Sequence, residues 1–241
     1  MCLGKVQVLA FMLLAQVAAS ESGGSGGKLT VVVFGDSTTA PRGDLPIYGG
    51  LLARDLPQRG IAVEVVNAGV PNSATSDACV RLERDVLAHR PALVVIQFGI
   101  NDSWVYVPRG QSKPQVDLPR FEQNLKELVA RIRAARAQVV LMTPNPLCWT
   151  DFYRADYATT PSRSTPFNGR ILDGFNVLLR DYAGAVRTVA AKESVPLVDI
   201  YAAFERQGVQ ELLLDGIHPN TRGHRLIADL LVEAIVPVLS K

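Results

Sequence analysis

The chain has 241 residues, 48% of them hydrophobic and 20% charged, enough to bury one substantial core rather than two. Its formal net charge is +2, and no basic block interrupts the sequence. That balance argues against a polyanion surface, so no nucleic-acid partner is expected.

Residues 1–19 read as a secretory signal peptide. Lys5 supplies the positive start, Val6 to Ala15 the short apolar stretch, and Val17 and Ala19 the small residues before a cut. The apolar stretch is short for a membrane span, which needs about 20 such residues. Cleavage after Ala19 is expected, with no stable membrane insertion of the mature protein and a secreted or periplasmic destination. Residues 20–27, SESGGSGG, form a flexible spacer, and residues 28–241 form one domain. Cleavage removes Cys2 and leaves Cys79 and Cys148. An oxidising compartment permits a disulfide between these two, the alternative being two separate buried thiols.

Leu29 to Phe34 is an apolar run stopped by Gly35, the pattern of a buried parallel strand ending in a sharp turn. Tyr48 to Leu56 reads as a helix ended by Pro57 and Gly60, and Ile61 to Val66 as a second strand. Thr75 to His89 is a helix capped by Thr75 or Ser76, with Val80, Leu82, Val86 and Leu87 on its apolar side. Ala92 to Phe98 is the most apolar strand and belongs near the sheet centre.

An insert from Asp102 to Leu118 carries Trp104 and Tyr106, and an amphipathic helix follows over Arg120 to Ala135. Ala137 to Thr143 is a fourth strand. A second insert, Pro144 to Phe167, carries Trp149 and Tyr153. A long helix over 169–193, a strand over Val195 to Ile200, and a short helix over Tyr201 to Arg206 come next. The last helix is capped by Asn220 or Thr221 and runs to about Val236, before Pro237. Strands alternating with helices define a three-layer α/β/α sandwich on a five-stranded parallel sheet, with right-handed crossovers.

Ligands of such sheets bind beyond the carboxyl ends of the strands, where Ser37 follows the first strand. Far downstream stands Asp215-Gly216-Ile217-His218. A hydroxyl, a base near neutral pKa and an anion that orients the base are what serine-type ester hydrolysis requires. The short Asp–His spacing lets one loop hold both side chains toward the same point. Two further stretches accompany them: VVNAGVPN with Gly69 after an apolar run, and Gly99-Ile100-Asn101-Asp102 after the central strand.

Gly-Asp-Ser, Gly69, Gly-x-Asn-Asp and Asp-x-x-His together, in this order, resemble the four signature blocks of the GDSL or SGNH hydrolase superfamily. The resemblance spans about residue 30 to residue 236. It implies a flavodoxin-like sheet order 2-1-3-4-5 and no cofactor or metal. Ser37 is then the nucleophile, His218 the general base and acid, and Asp215 its orienting anion. The oxyanion donors it implies are the backbone N–H groups of Ser37 and Gly69 and the side-chain amide of Asn101. Asp36 and Asp102 are supporting or turn-forming groups.

The opening Gly-Asp-Ser-Thr-Thr lacks the leucine of the GDSL spelling and is similar to that of polysaccharide (rhamnogalacturonan-type) acetylesterases. Trp104, Tyr106, Trp149 and Tyr153 offer ring faces for stacking on sugars, the alternative being that they pack the two inserts. The expected substrate is a small-molecule or glycan ester with a short acyl group. The rival expectations are a lysophospholipase or thioesterase for longer chains, and a catalytically inactive glycan-binding relative.

Overall fold

The computed structural model describes residues 27–106, 110–148, 150, 166–167, 170–171 and 176–240. The expected signal peptide and nearly all of the spacer lie outside this set, as do Trp149 and Tyr153.

The first strand, β1 (Leu29–Gly35), has Val31, Val32, Val33 and Phe34 with no exposed surface. A strand buried on both faces sits inside a sheet covered on both sides. Its neighbours are β2 (Val63–Gly69) and β3 (Leu93–Gln97), both parallel to it. Next to β3 lies β4 (Gln138–Met142). Beyond a two-residue antiparallel pair, β5 (Pro166–Phe167) and β6 (Arg170–Ile171), the chain adds β7 (Leu197–Val198) against β4. The sheet order is β2-β1-β3-β4-β7, as the resemblance implies.

Alternation along β1 splits the core into two layers. Val32 and Phe34 face α2 (Thr75–Asp85), α4 (Leu118–Ala134) and α5 (Asn176–Lys192), packing with Leu82, Leu125, Leu128 and Val186. Val31 and Val33 face α1 (Tyr48–Gln58), α6 (Ile200–Gln207) and α8 (Thr221–Leu239), packing with Leu52, Phe204, Leu231 and Ile235. A short α7 (Val209–Leu212) follows Gly208, and the single-turn α3 (Ile100–Ser103) follows β3.

The two cysteines are separate thiols, the alternative to a disulfide: Cys79 packs on the β1 face shared with α2 and Cys148 on the opposite one, with the sheet between them. Val80 is a correction. It is 86% exposed, so the buried side of α2 is carried by Ala78, Arg81 and Leu82.

The cap of α2 also differs. Ala74 is the N-cap residue, and its N–H donates to Asp77 Oδ2 at 2.9 Å. The N–H of Thr75 donates instead to Asp102 Oδ1 at 2.8 Å.

Candidate active site

The sheet order reverses between β1 and β3, since β1 connects to β2 on one side and the chain then crosses back to β3. The crevice at this switch point is where ligands of such sheets bind. Ser37 follows β1 and Asn101 follows β3.

Beyond Gly35 the chain turns sharply, with the N–H groups of Thr39 and Ala40 both donating to the carbonyl of Asp36. Asp36, Thr38 and Thr39 are buried, while Ser37 is half-buried. The two threonines were not singled out by any spacing rule. The Thr38 N–H donates to Asp36 Oδ1 at 2.8 Å, and its hydroxyl lies 2.8 Å from the same oxygen and 2.6 Å from Gln97 Oε1. Thr39 Oγ1 lies 2.7 Å from the Tyr48 hydroxyl. These bonds fix the turn from beneath and leave the Ser37 side chain facing the crevice.

His218 Nε2 stands 3.0 Å from Ser37 Oγ, and His218 Nδ1 stands 2.7 Å from Asp215 Oδ2. With the Nδ1 proton held by Asp215, Nε2 is left to accept the serine proton. Asp215 Oδ1 accepts the N–H groups of Ile217 at 3.0 Å and His218 at 2.8 Å, a turn that folds the loop around its own carboxylate. Burial alone would raise the Asp215 carboxyl. The bonds from the His218 ring and backbone and from the Ile217 N–H outweigh that and hold it well below the usual carboxylate range.

The loop is braced from the segment that follows β4: Asn145 Nδ2 donates to the Ile217 carbonyl at 2.9 Å, and the Cys148 N–H to the Gly216 carbonyl at 2.9 Å. Gly216 has φ +89°, and a Cβ there would stand 2.6 Å from the Cys148 carbonyl oxygen. Serine, histidine and aspartate are thus brought together across 181 residues of sequence.

Asn101 is buried on α3, one Nδ2 hydrogen donating to the Ser73 carbonyl at 3.1 Å. Gly69 departs from its expected place. Its N–H donates to Asn67 Oδ1 at 2.9 Å, and a Cβ on it would lie 2.3 Å from the Ala40 backbone nitrogen. Gly69 is glycine because the turn after Ser37 packs directly on it; it is not an open donor. The following residues, Val70-Pro71-Asn72-Ser73, close a turn through Ser73 N–H to the Val70 carbonyl at 3.3 Å. Proline at its second position and φ +62° at Asn72 make this a type II turn. The Val-Pro-Asn-Ser sequence carries that signal, which the strand-following glycine obscured.

Asp36 and Asp102 are fully buried beside the catalytic groups. Burial pushes Asp36 up to about 6 against the bonds from Thr38, and Asp102 up to about 7 against those from Thr75. Trp104 and Tyr106, half-buried, follow α3 with ring centroids 6.3 Å apart. Trp104 also packs on a small cluster containing Ile100, Leu147 and Ile217, so part of its surface supports the loops. His224 is buried in α8, accepting the Tyr48 N–H at 3.3 Å, and serves packing. Among the described residues no group of three or more His, Cys, Asp and Glu side chains is placed to hold a metal ion. No helix among them is long and apolar enough to cross a membrane.

A hydrogen-bonded serine–histidine–aspartate chain at the mouth of a three-layer parallel sheet is the arrangement of a serine-type hydrolase. Residues 33–226 match the GDSL-like Lipase/Acylhydrolase family, and the chain belongs to it, a carboxylic ester hydrolase. It is 29% identical over 191 residues to an acetylxylan esterase of Geobacillus stearothermophilus, covering 77% of each chain. To the esterase TesA of Pseudomonas aeruginosa it is 28% identical, covering 96% of both. A lipase/acylhydrolase from Enterococcus faecalis superposes with a TM-score of 0.66 at 26% identity, covering 87% of this chain and 96% of the other.

Proposed function

We propose that the protein removes short acyl groups, acetyl foremost, from carbohydrate esters outside the cytoplasm. The observation that carries this reading is the chain Asp215–His218–Ser37, bonded at 2.7 and 3.0 Å. Ser37 Oγ attacks the ester carbonyl while His218 Nε2 takes its proton, and Asp215 stabilises the imidazolium. The tetrahedral intermediate collapses, His218 gives the proton to the leaving alcohol, and an acyl-Ser37 remains. Water attacks the acyl group, losing its proton to His218, and His218 returns that proton to Ser37 Oγ as the acid departs.

The oxyanion takes donors from the Ser37 N–H and the second Nδ2 hydrogen of Asn101. The exposed Asn72 N–H, on the type II turn next to Ser73, stands in for Gly69. Each such donor contributes about 2.7–4 kcal/mol to the transition state. The substrate class rests on the acetylxylan esterase relative and on the paired rings of Trp104 and Tyr106 beside Asn101. Trp149 and Tyr153 belong to the same proposal. The exported location rests on residues 1–19.

Initial rates on aryl acetate, butyrate and octanoate, with Ser37→Ala alongside, test the reading. Acetate is fastest, and the variant loses at least about 10⁴-fold in kcat. Octanoate as the best substrate moves the enzyme to longer acyl chains. Equal rates for variant and wild type remove Ser37 as nucleophile and favour a glycan-binding role.

A further inference from the structure

Among the described residues Arg81 is the largest buried charged side chain, 7% exposed on the inner side of α2. A buried guanidinium needs partners for its N–H groups, and these partners lie around the site. Nη2 donates to the Gly35 carbonyl at 2.8 Å, one peptide before the Asp36–Ser37 turn. Nη1 donates to the Ala68 carbonyl at 2.8 Å, at the end of β2. Nε reaches Ser73 Oγ at 3.2 Å. The plane lies over the Phe34 ring, 4.4 Å from its centroid, and 5.8 Å from that of Phe98 at the end of β3. One rigid fork therefore spans the carboxyl ends of three strands. Ser73 is the shared node: Arg81 holds its hydroxyl, and its carbonyl holds Asn101 Nδ2.

We infer that Arg81 is a positioning residue for ester hydrolysis, setting the separation between the Ser37 turn and the Asn101 amide that the Ser73 carbonyl holds. The inference rests on the proposed roles of Ser37 and Asn101. Lysine keeps the charge but offers its donors from one point, so it cannot bond Gly35, Ala68 and Ser73 together. The ion pair with Asp85, one helical turn on at 3.2 Å, is separate from this function.

The test uses Arg81→Lys, Ser73→Ala and Asp85→Asn in the full mature chain. It reads kcat and KM on aryl acetate, inhibition by phenylboronic acid, and thermal melting. Boronic acid adds to the serine hydroxyl and places a negative oxygen among the oxyanion donors, so it reads their alignment. Arg81→Lys lowers kcat about 10–100-fold with KM within about twofold, and weakens boronate inhibition in step. Ser73→Ala lowers both about 5–10-fold and adds little in the Arg81→Lys background. Asp85→Asn stays within about twofold of wild type.

The inference is overturned if folded Arg81→Lys keeps kcat within about threefold, or if only KM changes. Unchanged kcat and boronate affinity in Ser73→Ala overturn it too, and that variant decides alone should Arg81→Lys not fold. Boronate inhibition that survives Ser37→Ala counts instead against the proposed site.

Discussion

At the scale of single residues, the site depends on which polar atoms are already occupied. Gly69 and Asn101 both looked like oxyanion donors, yet the Gly69 N–H is taken by Asn67 while Asn101 spends one of its two amide hydrogens on Ser73. Asn101→Ala should therefore lower kcat about 10²–10³-fold with a small change in KM, measured on aryl acetate. Asn101→Asp should lose as much, because it replaces a donor by an anion beside the developing negative charge. Gly69→Ala should act differently: the methyl meets the Thr39–Ala40 backbone, so the melting temperature falls along with activity. An unchanged melting temperature in Gly69→Ala would argue that the turn after Ser37 can move aside at little cost.

At the scale of elements, hydrophobic period located nearly every helix and strand, and hydrogen bonding moved their ends. β2 was expected over Ile61 to Val66 and lies over Val63–Gly69, because it pairs with β1 along the whole of that strand, from Leu29↔Val63 to Gly35↔Gly69. Pro57 and Pro237 were read as stops, yet each lies within the last turn of its helix. A proline there gives up only one hydrogen bond. Buried Leu56 and Ile235 hold the turns in place. The helix expected from residue 169 begins at Asn176 among the described residues, after the β5–β6 pair.

Two substitutions on α2 separate period from packing. Val80→Glu should change unfolding free energy by less than about 0.5 kcal/mol. Leu82→Ala, two positions on and fully buried, should cost about 2–5 kcal/mol in the same denaturant titration. Equal effects would mean that the exposed face of α2 is covered in solution.

At the scale of the whole molecule, two signs of pH dependence are built in. Asp36 and Asp102 have carboxyl pKa values raised to about 6 and about 7, so the native state binds more protons than the unfolded chain between about pH 4 and 7. Their contribution is fully present below the unfolded value near 4 and is lost as pH rises through the native values. Asp215 works oppositely: its depressed value adds stability above about pH 4 that is lost under stronger acid. Denaturant unfolding across pH 4–8 should therefore show stability declining toward neutrality, and Asp102→Asn should flatten the decline. A dithiol reductant should leave the thermal midpoint unchanged, since Cys79 and Cys148 lie on opposite faces of the sheet and form no disulfide with each other. A fall on reduction would reinstate the disulfide.

The layer architecture was legible in the amino-acid order alone, since apolar runs and helical stripes record which faces avoid water. That order also brought Ser37, Asp215 and His218 to notice through the hydroxyl, anion and base that serine-type hydrolysis uses, and Asn101 through the resemblance to the four signature blocks. Only the tertiary structure decided how far each donor is free to act. The packing of the Thr39–Ala40 backbone on Gly69, the burial of Asp36 and Asp102, and the reach of Arg81 to three strand ends depend on chain segments distant in sequence. Periodicity records burial one element at a time. It carries no record of which polar atom on a neighbouring element will accept a given hydrogen.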